Sequence, residues 1–442
     1  MNSISVVFGG EVSSPVRLNV LHIHADDFRP DLIGALKRFP VETPNLDAIA
    51  AQGLQFSACY TQGSMTGAVC LPSRIMMLTG RSWHRIPERN DALAAEQSLP
   101  ALLNQAGYQT FHAGKASNEF SAALKEFNQS IAMDDRSAEL RRNSSRRHAD
   151  AVIQFLRQRD REKPFYVYMS PPVPHDARIA EPQFHLRAQK LSFELSPAFA
   201  PLHPFDNGEM TVRDEKLAPW PRTIEDTHSQ LTDYFACISG LDFHVGRILD
   251  YLNATDSREN TLIIFSGDNG LSMGDHGLFG KQNLYEYGGM HTALMISGPG
   301  IPAAETIHHP VYLMDLFPTI CEASGVKIPS SIDAKSLFPL IRKQTAEIRP
   351  YLYTGYRDCM RAIRDQRWKL IRYPLVDRTQ LFDLNSDPME LHDLSAHADH
   401  QQTAGHLMSE LQREMHLFDD PVPLTVKDVR PAEWTPPVIQ ER

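Results

Sequence analysis

The chain has 442 residues, more than one hydrophobic core usually organises, so two packed domains or one large domain with a smaller appendage is expected. Its 44 basic and 54 acidic residues leave a net charge of −10, which argues against a nucleic-acid backbone as the main partner and leaves room for cation-binding acid clusters. The cysteines, at 59, 70, 237, 321 and 359, lack Cys-x-x-Cys spacing, which disfavours a disulfide framework and a zinc cluster, and no apolar run is long enough to span a bilayer.

In chain order, the opening MNSISVVFGGEVSSPVRLN has no basic start and only a weak apolar stretch. It reads as no export signal, so a soluble protein is expected, cytoplasmic as it stands and periplasmic if a signal has been removed. NVLHIHADD then predicts a buried strand ending in two carboxylates, and TPNLDAIAAQGLQF a short helix with Pro44 near its start and Gly53 at its end. The unit recurs in LPALLNQAGYQTFHAGK, where a helix closes at Gly107 and a strand follows. It recurs again before KPFYVYMSPPVPHD, and in LTDYFACISGLDFHVGRILDYL leading into TLIIFSGDNG; ALMISGPGI adds one more strand.

Residues 176–226 are Pro- and His-containing and weakly periodic, too long for an ordinary connection, and are expected to cover a site. Beyond about 345 the pattern changes to short strands, AIRDQRWKLIRYP and QLFDLNSDPMEL, then a helix near 398–417 and a Pro-rich tail. The expected fold is α/β, a large mainly parallel central sheet flanked by helices over 1–345, with a small antiparallel α+β subdomain over 346–442.

Ligands of open α/β sheets bind beyond the carboxyl ends of the strands, and here those ends carry Asp26 and Asp27, Lys115, His175, and Asp268 with Asn269. The Asp and Asn oxygens suit a hard cation such as calcium or magnesium and disfavour zinc. Taken alone, the Asp pair could cap a helix and SGDNG could be a turn; their shared placement after apolar strands favours the metal. Cys70 precedes Pro72 at an expected helix start, where backbone donors favour an anion and Arg74 adds a charge one turn in. A buried structural cysteine is the plainer alternative, and a thiolate nucleophile has no histidine partner in its signature.

The stretch CLPSRIMMLTGR, residues 70–81, resembles the type I sulfatase signature, Cys-x-Pro-Ser-Arg followed by a helix ending in Leu-Thr-Gly-Arg. The likeness runs along nearly the whole chain, through ADDFRPD, TPNLDAIAAQGLQF, the Gly-Lys at 114 and 115, the Pro-His at 174 and 175, SGDNG, GKQNLYE, WKLIRYP and LFDLNSDPMELHDL. It implies an alkaline-phosphatase-like fold and a sulfuric ester hydrolase that removes sulfate from an organic monoester, an O-sulfated saccharide by family frequency. It also implies that Cys70 is converted to formylglycine, whose hydrated aldehyde is the nucleophile. The conversion is made by a formylglycine-generating or anaerobic maturation enzyme that reads Cys-x-Pro-x-Arg. Asp26, Asp27, Asp268, Asn269 and the modified Cys70 would bind one divalent cation, usually calcium. Arg74 would favour the ionised hydrate, Lys115 and Lys281 would hold the sulfate oxygens, Asp268 would accept the nucleophile's proton, and His175 would protonate the departing alcohol.

The chain departs from the pattern at several places. Leu71 is bulkier than the usual small residue, and Ser117 and Asn118 stand where a histidine is expected two or three residues after Lys115. His112 would substitute for it only if the strand end bends. His291 stands where an arginine is common. His112, Asn118, His291 and the loop histidine His276 are therefore candidate substrate contacts, while His22 and His24, inside the first strand, are expected to be satisfied core histidines. Two rival readings are a phosphate or phosphonate ester hydrolase of the same superfamily and a non-catalytic sulfatase-like binding protein.

Overall fold

The computed structural model describes residues 17–86 and 98–437. Residues 1–16, which hold most of the segment weighed for an export signal, and the tail beyond 437 lie outside the described residues.

Strand β1 (Asn19–Ala25) starts the main sheet, followed by β2 (Gly53–Tyr60), β4 (Gln109–Lys115), β5 (Gln129–Met133), β6 (Phe165–Ser170), β7 (Thr261–Gly267), β8 (His291–Ser297), β9 (Glu305–Ile307) and β10 (Val311–Tyr312), with β3 (Gly63–Ser64) lying elsewhere. The spatial order is β10-β2-β8-β7-β1-β6-β4-β5, with β9 on β2. The five strands β5, β4, β6, β1 and β7 are mutually parallel; β8, the strand expected in ALMISGPGI, runs antiparallel to both β7 and β2.

Each central strand is buried on both faces, which is why its sequence is an apolar run rather than an alternation of apolar and polar residues. Leu21, Ile23, Val167, Ile263 and Phe265 point to one face, packed with Val152 and Leu156 of the helix Ser144–Gln158 and Phe235 and Val245 of the helix Ile224–Ala254. Val20, Tyr166, Tyr168, Leu262 and Ile264 point to the other, against Ile75 and Leu78 of the helix Cys70–Thr79.

The second sheet joins β11 (Leu352–Tyr356), β12 (Met360–Arg364), β13 (Trp368–Tyr373) and β14 (Arg378–Asp383) as an antiparallel meander, closed by the helix Gln401–Leu417. Its fifth strand was not foreseen: β3 pairs parallel with β11, so the chain running into Cys70 is anchored on the C-terminal sheet. Two glycines permit this contact, because a Cβ on Gly63 would fall 2.2 Å from the Gly355 carbonyl oxygen and one on Gly355 would meet Trp83 at 2.8 Å. The 176–226 segment carries the helix Pro182–Ala188 and a short turn of helix at Asp214–Leu217. No helix among the described residues is long and apolar enough to cross a membrane.

Candidate active site

The carboxyl ends of β1, β4 and β7 and the start of the helix Cys70–Thr79 meet at one point. Oxygen and sulfur atoms of Asp26, Asp27, Cys70 and Asp268 lie within 4.8 Å of one another, all four residues buried. Asp27 adopts a left-handed backbone, φ 60°, which turns its carboxylate toward the helix start. The Asp268 Oδ1 accepts from the Asp27 N–H at 2.9 Å, tying the ends of β1 and β7 together. Ser73, one turn into the helix, donates its hydroxyl to the Asp268 carbonyl.

Cations surround the acids. Lys281 Nζ is 2.7 Å from Asp27 Oδ1 and 3.1 Å from Cys70 Sγ, and Lys115 Nζ is 2.5 Å from Asp26 Oδ2. Arg74, fully buried, donates from Nε to Asp268 Oδ2 at 3.0 Å, pairs with Glu119, and has Nη2 3.7 Å from Asp26 Oδ1. His175 reaches the cluster from the loop after β6, its Nε2 3.7 Å from Asp27 Oδ2 and its Nδ1 2.6 Å from the Asp176 carbonyl.

These neighbours shift the ionisations in opposite directions. Burial raises the Asp268 carboxyl to about 7, with Asp26 pushing the same way and Arg74 opposing. At Asp26 burial also pushes upward, but Lys115, His175 and Arg74 outweigh it and hold the carboxyl well below the ordinary range. Burial and Asp268 drive the Cys70 thiol well above its ordinary value despite Lys281, so the encoded side chain is a poor thiolate nucleophile.

The donor set fits a hard divalent cation. Its atoms are carboxylate and amide oxygens, and among the described residues both Asp26 Oδ1 and Asn269 Oδ1 are buried without a hydrogen-bond partner. The Asn269 amide nitrogen donates to Asp27 Oδ1 and the Gly270 carbonyl, which turns its oxygen toward the shared space. Three carboxylates so close need positive charge, which Lys115, Lys281 and Arg74 supply in part, at Asp26, Asp27 and Asp268.

Beside the cluster opens a cleft of about 500 Å³, lined by Asp26, Lys115, Asn118, Arg141, His175 and Asp176 among others. A larger hollow of about 660 Å³, among Arg17, Arg159 and Lys163, holds none of the clustered side chains. Asn118 is exposed at the cleft mouth with φ 54°.

Three of the expected contacts are placed elsewhere. The strand end does not bend to bring His112 out: it is buried within β4, Nδ1 2.9 Å from Ser130 Oγ and Nε2 3.2 Å from Ser170 Oγ. His291 has its ring nitrogens 2.8 and 2.9 Å from the carbonyl oxygens of Glu286 and Ser57, leaving neither for a substrate. His276 stacks on Tyr285 with ring centroids 3.9 Å apart, beside the second sheet rather than the cleft. His22 and His24 are core histidines but only half satisfied: they share the Ser266 hydroxyl at 2.8 and 2.7 Å, His22 Nδ1 and His24 Nε2 have no hydrogen-bond partner among the described residues, and burial holds the His22 imidazole neutral, at about 3.

Sequence reasoning missed Glu119, which lies within GKASNEF four residues past Lys115 and accepts from Arg74 and from Ser170 Oγ at 2.7 Å. It also missed Arg141, Arg213 and Gln282, whose roles come from contacts across the fold. Gln282 donates to the Gly67 carbonyl at 3.0 Å and to Asp214 at 2.9 Å, and Arg213 spans Asp214 and Asp176, so one polar chain runs round the rim from the Cys70 loop to the His175 loop.

Comparison with known proteins gives a coherent result. Residues 18–326 match the Sulfatase family model, and residues 274–416 match the C-terminal model of N-sulphoglucosamine sulphohydrolase. The chain is 24% identical to an N-acetylglucosamine-6-O-sulfatase of Bacteroides thetaiotaomicron, covering 91% of this chain and 87% of that one. It is 26% identical to a choline-sulfatase of Rhizobium meliloti, covering 85% and 82%. Among solved structures it resembles one in complex with its substrate D-glucosamine-2-N,6-O-disulfate, with TM-score 0.76 and 22% identity over 92% of this chain and 99% of that one. It also resembles the phosphonate monoester hydrolase of Agrobacterium radiobacter, with TM-score 0.77 and 21% identity over 91% and 96%.

Proposed function

The chain belongs to the sulfatase family and is a sulfuric ester hydrolase, and we propose that it desulfates an O-sulfated saccharide, derived from a polysaccharide, at the site built around Cys70. The reading is carried by one observation: the cysteine of an intact Cys-x-Pro-x-Arg heads a helix, faces three carboxylates and lies 3.1 Å from Lys281. The saccharide is supported by relatives named as sulfatases of N-acetylglucosamine 6-sulfate.

Asp26, Asp27, Asp268, Asn269 and the modified Cys70 would hold a calcium ion, or magnesium, which when bound supplies charge neutralisation and Lewis acidity at the sulfate. Formylglycine made from Cys70 would supply an oxygen nucleophile whose second hydroxyl lets sulfate leave by elimination, a route that an ester of the plain cysteine lacks. Cys70 and Arg74 are 1% and 0% exposed, so the maturation enzyme has to read this segment before the chain folds around it.

The chain's own residues do the remaining work. Lys115 and Lys281 grip two sides of a tetrahedral anion, and Arg74, held by Glu119 and Asp268, directs its charge at the same point. These groups cost no reorganisation during reaction because each is already fixed by a buried partner. Asp268, whose Oδ2 takes Arg74 Nε at 3.0 Å and whose carboxylate lies beside Cys70, is the group placed to accept the nucleophile's proton. His175 keeps Nδ1 on a carbonyl, so its other nitrogen, Nε2, is the atom that delivers a proton to the departing alcohol oxygen.

The catalytic residues lie within 1–345, and the 176–226 segment together with 346–442 sets which sugar enters, a division supported by the rim contacts of Arg213 and Asp214. Kinetics on paired aryl sulfate and aryl phosphate, followed by sulfate release from defined sulfated monosaccharides, test the reading. Faster turnover of phosphate or phosphonate esters by fully converted enzyme would overturn it in favour of the rival that the phosphonate hydrolase likeness raises.

A further inference from the structure

We infer that Arg141 is a positioning residue for His175, and that it governs proton delivery to the leaving group rather than sulfate binding. The inference rests on the reading of His175 as the acid. Residues 175–177 lie in no helix or strand, so their carbonyls have no partners of regular structure. Arg141, from the short helix Ala138–Arg142, supplies them: Nη2 donates to the carbonyls of His175 at 2.7 Å and Asp176 at 2.6 Å, and Nε to that of Ala177 at 3.2 Å. Its Nη1 is fixed by Asp135. The Arg141 side chain is 10% exposed, and its rigid guanidinium plane grips three successive carbonyls from inside the loop.

From outside, Arg213 holds the Asp176 carboxylate at 2.6 and 2.9 Å, but its side chain is 60% exposed and is the weaker clamp. The Asp176 carbonyl that Arg141 immobilises is the same one that fixes His175 Nδ1. In the sulfuryl-transfer step the hydrate oxygen of converted Cys70 would bond to sulfur and keep the sulfuryl group as the S–O bond to the alcohol breaks; that bond's electron pair goes to the leaving oxygen, which takes the Nε2 proton of His175. That transfer matters most when the leaving alcohol is a poor anion.

The test measures kcat and KM of fully converted enzyme on 4-nitrophenyl, phenyl and 4-methoxyphenyl sulfate, for the parent, His175→Ala, Arg141→Met and Arg141→Lys, with thermal unfolding followed for each. The expected result is a loss of kcat in His175→Ala that grows as the phenol becomes less acidic. Arg141→Met should reproduce that trend, losing about tenfold or more extra on 4-methoxyphenyl relative to 4-nitrophenyl sulfate, with KM little changed and Arg141→Lys between it and the parent. Equal losses across the series in Arg141→Met, or a change in KM alone, against a steep His175→Ala, overturn the inference. A flat series in His175→Ala overturns the acid reading itself and the inference with it. If Arg141→Met does not fold, Arg141→Lys decides: a graded loss supports the inference and a flat one overturns it.

Discussion

Lys281 Nζ lies between Asp27 Oδ1, at 2.7 Å, and Cys70 Sγ, at 3.1 Å, bridging the first strand's end and the helix start. A lysine so placed neutralises Asp27 and lies beside the proposed nucleophile position. Lys281→Ala should therefore lower kcat/KM about 100- to 1,000-fold on an aryl sulfate, the usual effect of removing one preorganised donor. A loss below about threefold in steady-state assays would remove Lys281 from the anion site.

Cys70→Ala tests the nucleophile. The thiol is buried and pushed well above its ordinary range by burial and Asp268, so the unmodified side chain carries little reactivity to preserve. Turnover should fall by at least about 10,000-fold while the unfolding transition and calcium binding persist, because the carboxylate ligands remain. Substantial residual turnover in a folded Cys70→Ala protein would place the chemistry elsewhere.

Cation binding should depend on pH through Asp268. Its carboxyl, at about 7, holds a proton below that pH in the metal-free protein, and a bound cation must displace it. Calcium affinity measured by calorimetry should fall as the pH drops below 7, approaching about tenfold per unit. For stability the sign is reversed. Between the ordinary value of 3.8 and about 7 the folded metal-free protein keeps the proton that the unfolded chain has released, so this group's contribution declines as pH rises through that window. An affinity that stays flat from about pH 5.5 to 7 would contradict the assignment.

The joint between the two sheets offers a stability test away from the chemistry. Lys369 Nζ is buried between Glu286, at 3.0 Å, and Glu390, at 2.9 Å, and Glu286 also pairs with Arg364 at 2.8 Å. Lys369→Met leaves buried Glu390 without its ion pair and Glu286 with Arg364, and should destabilise the fold by about 3 kcal/mol in urea unfolding. A change below about 1 kcal/mol would mean that the two glutamates share a proton instead.

Where the sequence was legible, the reason was local. Apolar runs ending in Asp26 and Asp27, Lys115, and Asp268 with Asn269 marked parallel strands and the end of the sheet where a site forms, and Pro72 marked the helix start beneath Cys70. Gly63–Ser64 gave no such signal, because a two-residue strand is defined by its partner in β11 and not by its own pattern. Glu119 and Arg141 were illegible for a related reason: an acid or arginine in a short polar stretch reads as solvated surface until the fold brings Arg74 or the carbonyls of 175–177 against it. His112 was raised as a contact in place of the histidine expected after Lys115, His291 because it stands where an arginine is common, and His276 as a loop histidine, yet burial and local acceptors absorb the first two and Tyr285 covers the third.

The proposed chemistry turns on what Cys70 becomes. Mass spectrometry of the peptide containing Cys70, from active enzyme purified from its own host, reads this directly: conversion of the thiol to the aldehyde removes roughly 18 mass units. Active preparations should carry this loss, with activity rising in proportion to the converted fraction. Full sulfatase activity from protein in which Cys70 remains an unmodified thiol would contradict it.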